Sequence, residues 1–188
     1  MIDRRTVIAG ALAAATAPLA VRAQGQVSRI TAYAFSFPAL ESGDIRLAEH
    51  SGHPLLVVNT ASQCGYTPQY AGLQQLWTEF HGRGLTIVGV PSNDFGGQEP
   101  GGAKEIAQTA QHDYAVTFPI AAKAVVIGPS AHPFYKWAAQ ARPADVPKWN
   151  FHKYLIGRDG YIADVFASAV EPTDTRVKAA IAKAFADT

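Results

Sequence analysis

The chain is poor in sulfur. Its 188 residues hold one cysteine, Cys64, and one methionine. A single cysteine excludes any disulfide within the chain, so a stable core has to be built from packing alone. A dithiol exchange motif is excluded for the same reason, because Cys-x-x-Cys needs a second sulfur and the position three residues on is Thr67. Charge is also sparse and balanced, with a formal net charge of +1. Without a basic excess, and with no basic cluster interleaved with aromatics, neither nucleic acid nor anionic lipid is an expected partner. No apolar run reaches the roughly 18 residues needed to cross a bilayer, so stable membrane insertion is not expected. The histidines give no metal centre: His50 and His53 are close, whereas His81, His112, His132 and His152 are scattered without a cysteine or carboxylate cluster at ligand spacing.

The first 23 residues read as an export signal. Asp3-Arg4-Arg5-Thr6 is a charged start, Val7 to Leu19 an uncharged Ala-rich stretch, and Val21-Arg22-Ala23 a small-residue cleavage site. Arg4-Arg5 before the apolar run is similar to a twin-arginine signal, and both the secretory and the twin-arginine routes remain open. Cleavage after Ala23 removes three arginines and one aspartate and leaves a mature chain of net charge −1. Residues 24–188 then form one domain, since no linker or repeat divides them, and the expected location is periplasmic or secreted.

Within that domain strand and helix alternate. Pro54 to Val58 and Leu85 to Val90 are short apolar runs suited to a buried sheet. Between them Tyr70, Leu73, Leu76, Trp77 and Phe80 recur at helical spacing, with Pro68 at the entry and Gly82 and Gly84 near the exit. Phe151 to Ile156, a turn at Gly157-Arg158-Asp159-Gly160, and Tyr161 to Phe166 predict a β-hairpin, and a last helix is expected over 172–186. This order predicts an α/β, thioredoxin-like fold with a central mixed sheet flanked by helices. Cys64 falls at the seam between the first central strand and the first long helix. A sulfur there faces unpaired backbone N–H groups, which favour thiolate over thiol. Free cysteine is equally at home as a buried apolar residue, so position alone leaves both roles open.

Three ordered blocks then narrow the reading: Val58-Asn59-Thr60-Ala61-Ser62-Gln63-Cys64-Gly65-Tyr66-Thr67, Pro91-Ser92-Asn93-Asp94-Phe95-Gly96-Gly97-Gln98-Glu99-Pro100-Gly101, and Trp149-Asn150-Phe151. Together they resemble the signature blocks of the glutathione peroxidase family, and the likeness runs from about residue 30 to 185. The resemblance implies a thiol peroxidase with Cys64 as peroxidatic residue and Gln98, Trp149 and Asn150 as the rest of a catalytic tetrad. It implies a hydroperoxide substrate (hydrogen peroxide, organic or lipid), no bound cofactor, and an external thiol reductant such as glutathione or thioredoxin. The short connection from Lys136 to Trp149 lacks the extra residues of tetrameric members, so a monomer is expected. Two departures limit the transfer. Ser92 stands where members commonly have cysteine, and no cysteine follows Gly65, so the Cys64 sulfenic acid has no resolving partner in the chain. A peroxide sensor, in which Cys64 oxidation alters binding to a partner, is the alternative.

Overall fold

The computed structural model describes residues 30–186; the expected signal segment and its cleavage site lie outside them. Among the described residues there are six strands and four α-helices: β1 (Ser36–Pro38), β2 (Asp44–Arg46), β3 (Leu55–Thr60), α1 (Gln69–Phe80), β4 (Thr86–Pro91), α2 (Ala103–Ala107), α3 (Pro133–Ala141), β5 (Lys153–Ile156), β6 (Ile162–Phe166) and α4 (Thr175–Ala186). None of these helices is long and apolar enough to cross a membrane.

The main sheet has the order β4-β3-β5-β6, with β3 and β4 parallel and the other pairs antiparallel. β3 and β4 are buried along their whole length, which explains their continuous apolar sequence: each covers a layer on both faces. Alternate side chains sort cleanly between those layers. Leu56, Val58, Ile87 and Leu155 meet Leu73, Leu76 and Phe80 of α1 and Val177 and Ile181 of α4. Leu55, Val57, Val88 and Tyr154 point the other way, to Phe134, Trp137 and Ala138 of α3 and to Phe37 from the small β1–β2 hairpin. Full burial of each such side chain contributes about 1.5–3 kcal/mol. A core of two such layers does not need a disulfide.

The strand, helix and hairpin readings from sequence agree with these elements to within a few residues. Helix α1 runs into a 3-10 turn, His81–Arg83, which stops where Gly84 adopts φ +105°, a left-handed conformation that a residue with a side chain enters at a cost.

Sheet order also decides what meets at one edge. β3 and β4 run parallel, so the segments that follow Thr60 and Pro91 leave from the same side. β5 runs opposite to β3, so the segment that precedes Lys153 arrives there too. Residues 61–68, 92–101 and 149–152 are thereby neighbours.

Candidate active site

Cys64 sits in the turn between β3 and α1 and is 7% exposed. Backbone bonds from the Thr67 N–H to the Cys64 carbonyl and from the Gln69 N–H to the Tyr66 carbonyl, each 2.9 Å, wind this segment tightly before α1 begins at Gln69. The sulfur is therefore several residues ahead of the helix, and the donor that reaches it belongs to the turn: the Tyr66 N–H donates to Cys64 Sγ at 3.4 Å. Thr67 closes the turn from below. Its hydroxyl accepts from the Cys64 N–H at 3.0 Å and donates to the Ala61 carbonyl at 2.9 Å.

The second segment is tied directly to the first. Gln63 N–H donates to the Gln98 carbonyl at 3.0 Å, and the Ser62 hydroxyl donates to Glu99 Oε2 at 3.1 Å. Glu99 is buried, which raises its carboxyl pKa, and the Ser62 hydrogen bond opposes that shift. Asn93 and Asp94 brace the same loop: Asn93 Oδ1 accepts from the Glu99 N–H at 2.9 Å, and Asp94 Oδ2 accepts from the Val126 and Ile127 N–H groups at 2.6 and 3.1 Å. Between these anchors Gly96 and Gly97 take φ +67° and +65°, and a Cβ on Gly96 would lie 3.4 Å from Trp149 Cη2. Two glycines thus let the chain turn under the indole and present Gln98.

The third segment carries Trp149 and Asn150. Asn150 Nδ2 donates to Gln98 Oε1 at 2.9 Å, joining residues 52 positions apart. Trp149 packs on Phe95, ring centres 5.9 Å apart, and remains 39% exposed. Its indole N–H and the Gln98 Nε2 group make no hydrogen bond among the described residues, so two neutral donors are left unspent. Phe151, at φ +62°, turns the chain into β5.

Sequence reasoning did not single out the residues that hold this third segment. Asn59, inside the apolar β3, donates through Nδ2 to the Trp149 carbonyl at 3.1 Å and accepts through Oδ1 from the His152 N–H at 3.2 Å. Lys153 is fully buried, and its Nζ donates to the Phe151 carbonyl and to Gln69 Oε1, both at 2.7 Å. Burial pushes that ammonium down to about 7. The available signal was local contradiction: an asparagine within Leu-Leu-Val-Val-Asn-Thr, and a lysine between His152 and Tyr154 in a strand buried on both faces. No group of three His, Cys, Asp or Glu residues that could hold a metal occurs among the described residues.

A tightly wound turn with one sulfur, tied through the Gln63–Gln98 backbone bond to the segment that carries the Gln98–Asn150 amide pair, offers a nucleophile for an electrophilic oxygen or sulfur together with neutral N–H donors. Comparison with known proteins agrees. The family model described as glutathione peroxidase matches residues 32–139, which takes in Cys64 and Gln98. A hydroperoxy fatty acid reductase of Synechocystis is 44% identical over 153 residues, 77% of this chain and 90% of the relative. A glutathione peroxidase-like peroxiredoxin of Chlamydomonas reinhardtii is 39% identical over 143 residues, 74% and 88% of the two chains. Among solved structures, Trgpx in its apo form superimposes with a TM-score of 0.70 at 33% identity, covering 85% of this chain and 98% of that one. A thioredoxin-family thiol:disulfide interchange protein from Chlorobium tepidum, 15% identical, superimposes with a TM-score of 0.61 over 80% of this chain and 92% of its own. That likeness establishes the thioredoxin-like fold alone.

Proposed function

The chain belongs to the glutathione peroxidase family and is a thiol peroxidase, and from that premise we propose that Cys64 reduces hydrogen peroxide and organic or lipid hydroperoxides within a tetrad completed by Gln98, Trp149 and Asn150. The observation that carries this reading is the convergence of the Cys64 turn with the hydrogen-bonded Gln98–Asn150 pair at one sheet edge. The Cys64 thiolate attacks one peroxide oxygen. A sulfur–oxygen bond forms as the O–O bond breaks, the second oxygen leaves as water or alcohol after taking a proton, and Cys64 becomes a sulfenic acid. The Tyr66 N–H donates to the attacking sulfur, while Gln98 Nε2 and the Trp149 indole N–H donate to the oxygen on which charge develops.

No second cysteine exists to resolve the sulfenic acid. An external thiol attacks its sulfur, releasing water and leaving a mixed disulfide, and a second thiol then frees Cys64 as the disulfide of the reductant departs. Glutathione or a thioredoxin-like protein fits this role, no cofactor is required, and the enzyme works as a monomer in an exported location. The single cysteine also suits a peroxide sensor, which would stop after one equivalent of peroxide.

The test is to mix the pre-reduced protein with limiting hydrogen peroxide or an organic hydroperoxide, follow peroxide loss and the mass of the Cys64 peptide, and then add glutathione or thioredoxin. Fast stoichiometric consumption followed by many turnovers is expected. Arrest at one equivalent with every thiol would favour the sensor. Cys64→Ser is expected to abolish the reaction in a folded protein, and Gln98→Ala to slow the oxidation step by about 10- to 1000-fold.

A further inference from the structure

Lys153 is a buried charge that the peroxide chemistry leaves without a task. Its side chain is fully buried, and Nζ donates at 2.7 Å to two neutral acceptors that belong to different parts of the site. One is the Phe151 carbonyl, directly after Asn150, on the residue whose φ of +62° turns the chain into β5. The other is Oε1 of Gln69, the first residue of α1. Gln69 carries the contact onward: its backbone N–H donates to the Tyr66 carbonyl at 2.9 Å, and the Tyr66 N–H donates to Cys64 Sγ at 3.4 Å. Its Nε2 donates to the Ser168 carbonyl at 2.8 Å, which fixes the amide facing Lys153. One ammonium thus ties the turn that holds the sulfur to the segment that holds Trp149 and Asn150.

A neutral donor would make the same two bonds without desolvating an ammonium. What the charge adds is strength, since a hydrogen bond from an ionised donor is about twice as strong as a neutral one, and with it a dependence on pH. The surrounding elements give the charge little support. β3 has no titratable side chain, and the residues that α4 buries, Val177, Ile181 and Ala184, have none either. On the buried face of α1 the titratable group is Tyr70, which meets Phe151 edge-on and is held neutral by burial. His152, beside Lys153 in β5, is neutral as well, and Asp164 of β6 pairs two positions away and is exposed. The Glu171 carboxylate, between β6 and α4, attracts the ammonium through space. Burial outweighs that attraction, so the side chain is charged in mildly acidic solution and neutral in mildly basic solution.

We propose that Lys153 is a positioning residue for Cys64 oxidation: its ammonium locks the Cys64 turn to the Trp149–Asn150 segment, and loss of its proton loosens the lock and slows the reaction. The inference rests on the peroxidase reading of Cys64.

The test follows two reactions of the pre-reduced protein from pH 6 to pH 8.5, single-turnover oxidation by hydrogen peroxide and alkylation of Cys64 by iodoacetamide. Both need the thiolate, and only the first uses the Gln98 and Trp149 donors, so the ratio of their rate constants does not depend on how much thiolate is present. That ratio is expected to fall by about 5- to 10-fold across a midpoint near pH 7. Lys153→Gln keeps an N–H donor and carries no charge, and its ratio should be low and flat. A ratio independent of pH in the unsubstituted protein overturns the proposal, as does a fall that Lys153→Gln retains. Should hydrogen peroxide react no faster than with a free thiol, the peroxidase reading falls separately. In that case, or if Lys153→Gln does not fold, the indole N–H resonance of Trp149 in Cys64→Ser protein decides. A resonance that shifts with a midpoint near pH 7 supports the lock, and one that stays fixed over this range overturns it.

Discussion

Thr67 stands three residues after Cys64, where a dithiol oxidoreductase keeps its second sulfur, and here its hydroxyl serves as a staple of the turn. Thr67→Val keeps the shape and removes both hydrogen bonds, leaving the buried Cys64 N–H and Ala61 carbonyl unpaired. A loss of about 1–3 kcal/mol is expected from the urea midpoint, with recovery in Thr67→Ser. His152 offers a second test at this scale. Its folded pKa is near 4, against about 6.5 when unfolded, so between these values the unfolded chain binds more protons. Its contribution to stability is full above about pH 7 and is lost as pH falls towards 4. At pH 5 the loss is on the order of 2 kcal/mol, and the melting curve of His152→Gln should depend on pH less steeply over that window. Cys64 was legible in the sequence because it is alone, and Gln98, Trp149 and Asn150 only through the blocks around them. Asn59, Glu99 and Lys153 were not legible. Apart from the Phe151 carbonyl beside Lys153, their side-chain partners lie far away in sequence, and only the folded sheet reveals what a buried polar group satisfies.

Elements of regular period were the easiest to read. β3, α1 and β4 announce themselves by apolar runs and helical spacing, and α4 by Val177, Ile181 and Ala184 on one buried face. β1 and β2 have three residues each, too few for an alternation to register, and the π-helical turn Gln108–Asp113 that extends α2 has no sequence signature at all. The loop that presents Gln98 depends on its glycines. In Gly96→Ala a left-handed residue gains a Cβ against Trp149, and the expected result is about 1 kcal/mol lower stability together with slower Cys64 oxidation. Unchanged oxidation kinetics would show that the indole position does not matter to the step.

For the whole molecule, assembly is the open quantity that a single experiment fixes. Among the described residues the exposed large apolar side chains are Ile30, Val125, Ile127, Trp149 and Tyr161, and only Val125 and Ile127 are near one another in the sequence. Sedimentation equilibrium of the mature protein at micromolar concentration is expected to give the mass of one chain; a stable dimer would contradict the monomeric reading. Fold class was legible at this scale because order along the chain restricts topology so strongly, whereas the meeting of three distant segments followed only from β5 being antiparallel to β3. Asn59 gives that meeting a dynamic consequence. It lies in β3, an interior strand, and grips both sides of the Trp149–His152 turn, so any opening of this part of the site has to break both hydrogen bonds. Releasing the indole segment frees the Trp149 carbonyl and the His152 N–H from the sheet while the β3–β5 ladder, which pairs residues 55–58 with 153–156, stays formed. A molecule that loses the Asn59 grip keeps its sheet and its single thiol and loses the fixed placement of the indole, which makes Asn59 the hinge pin of the site.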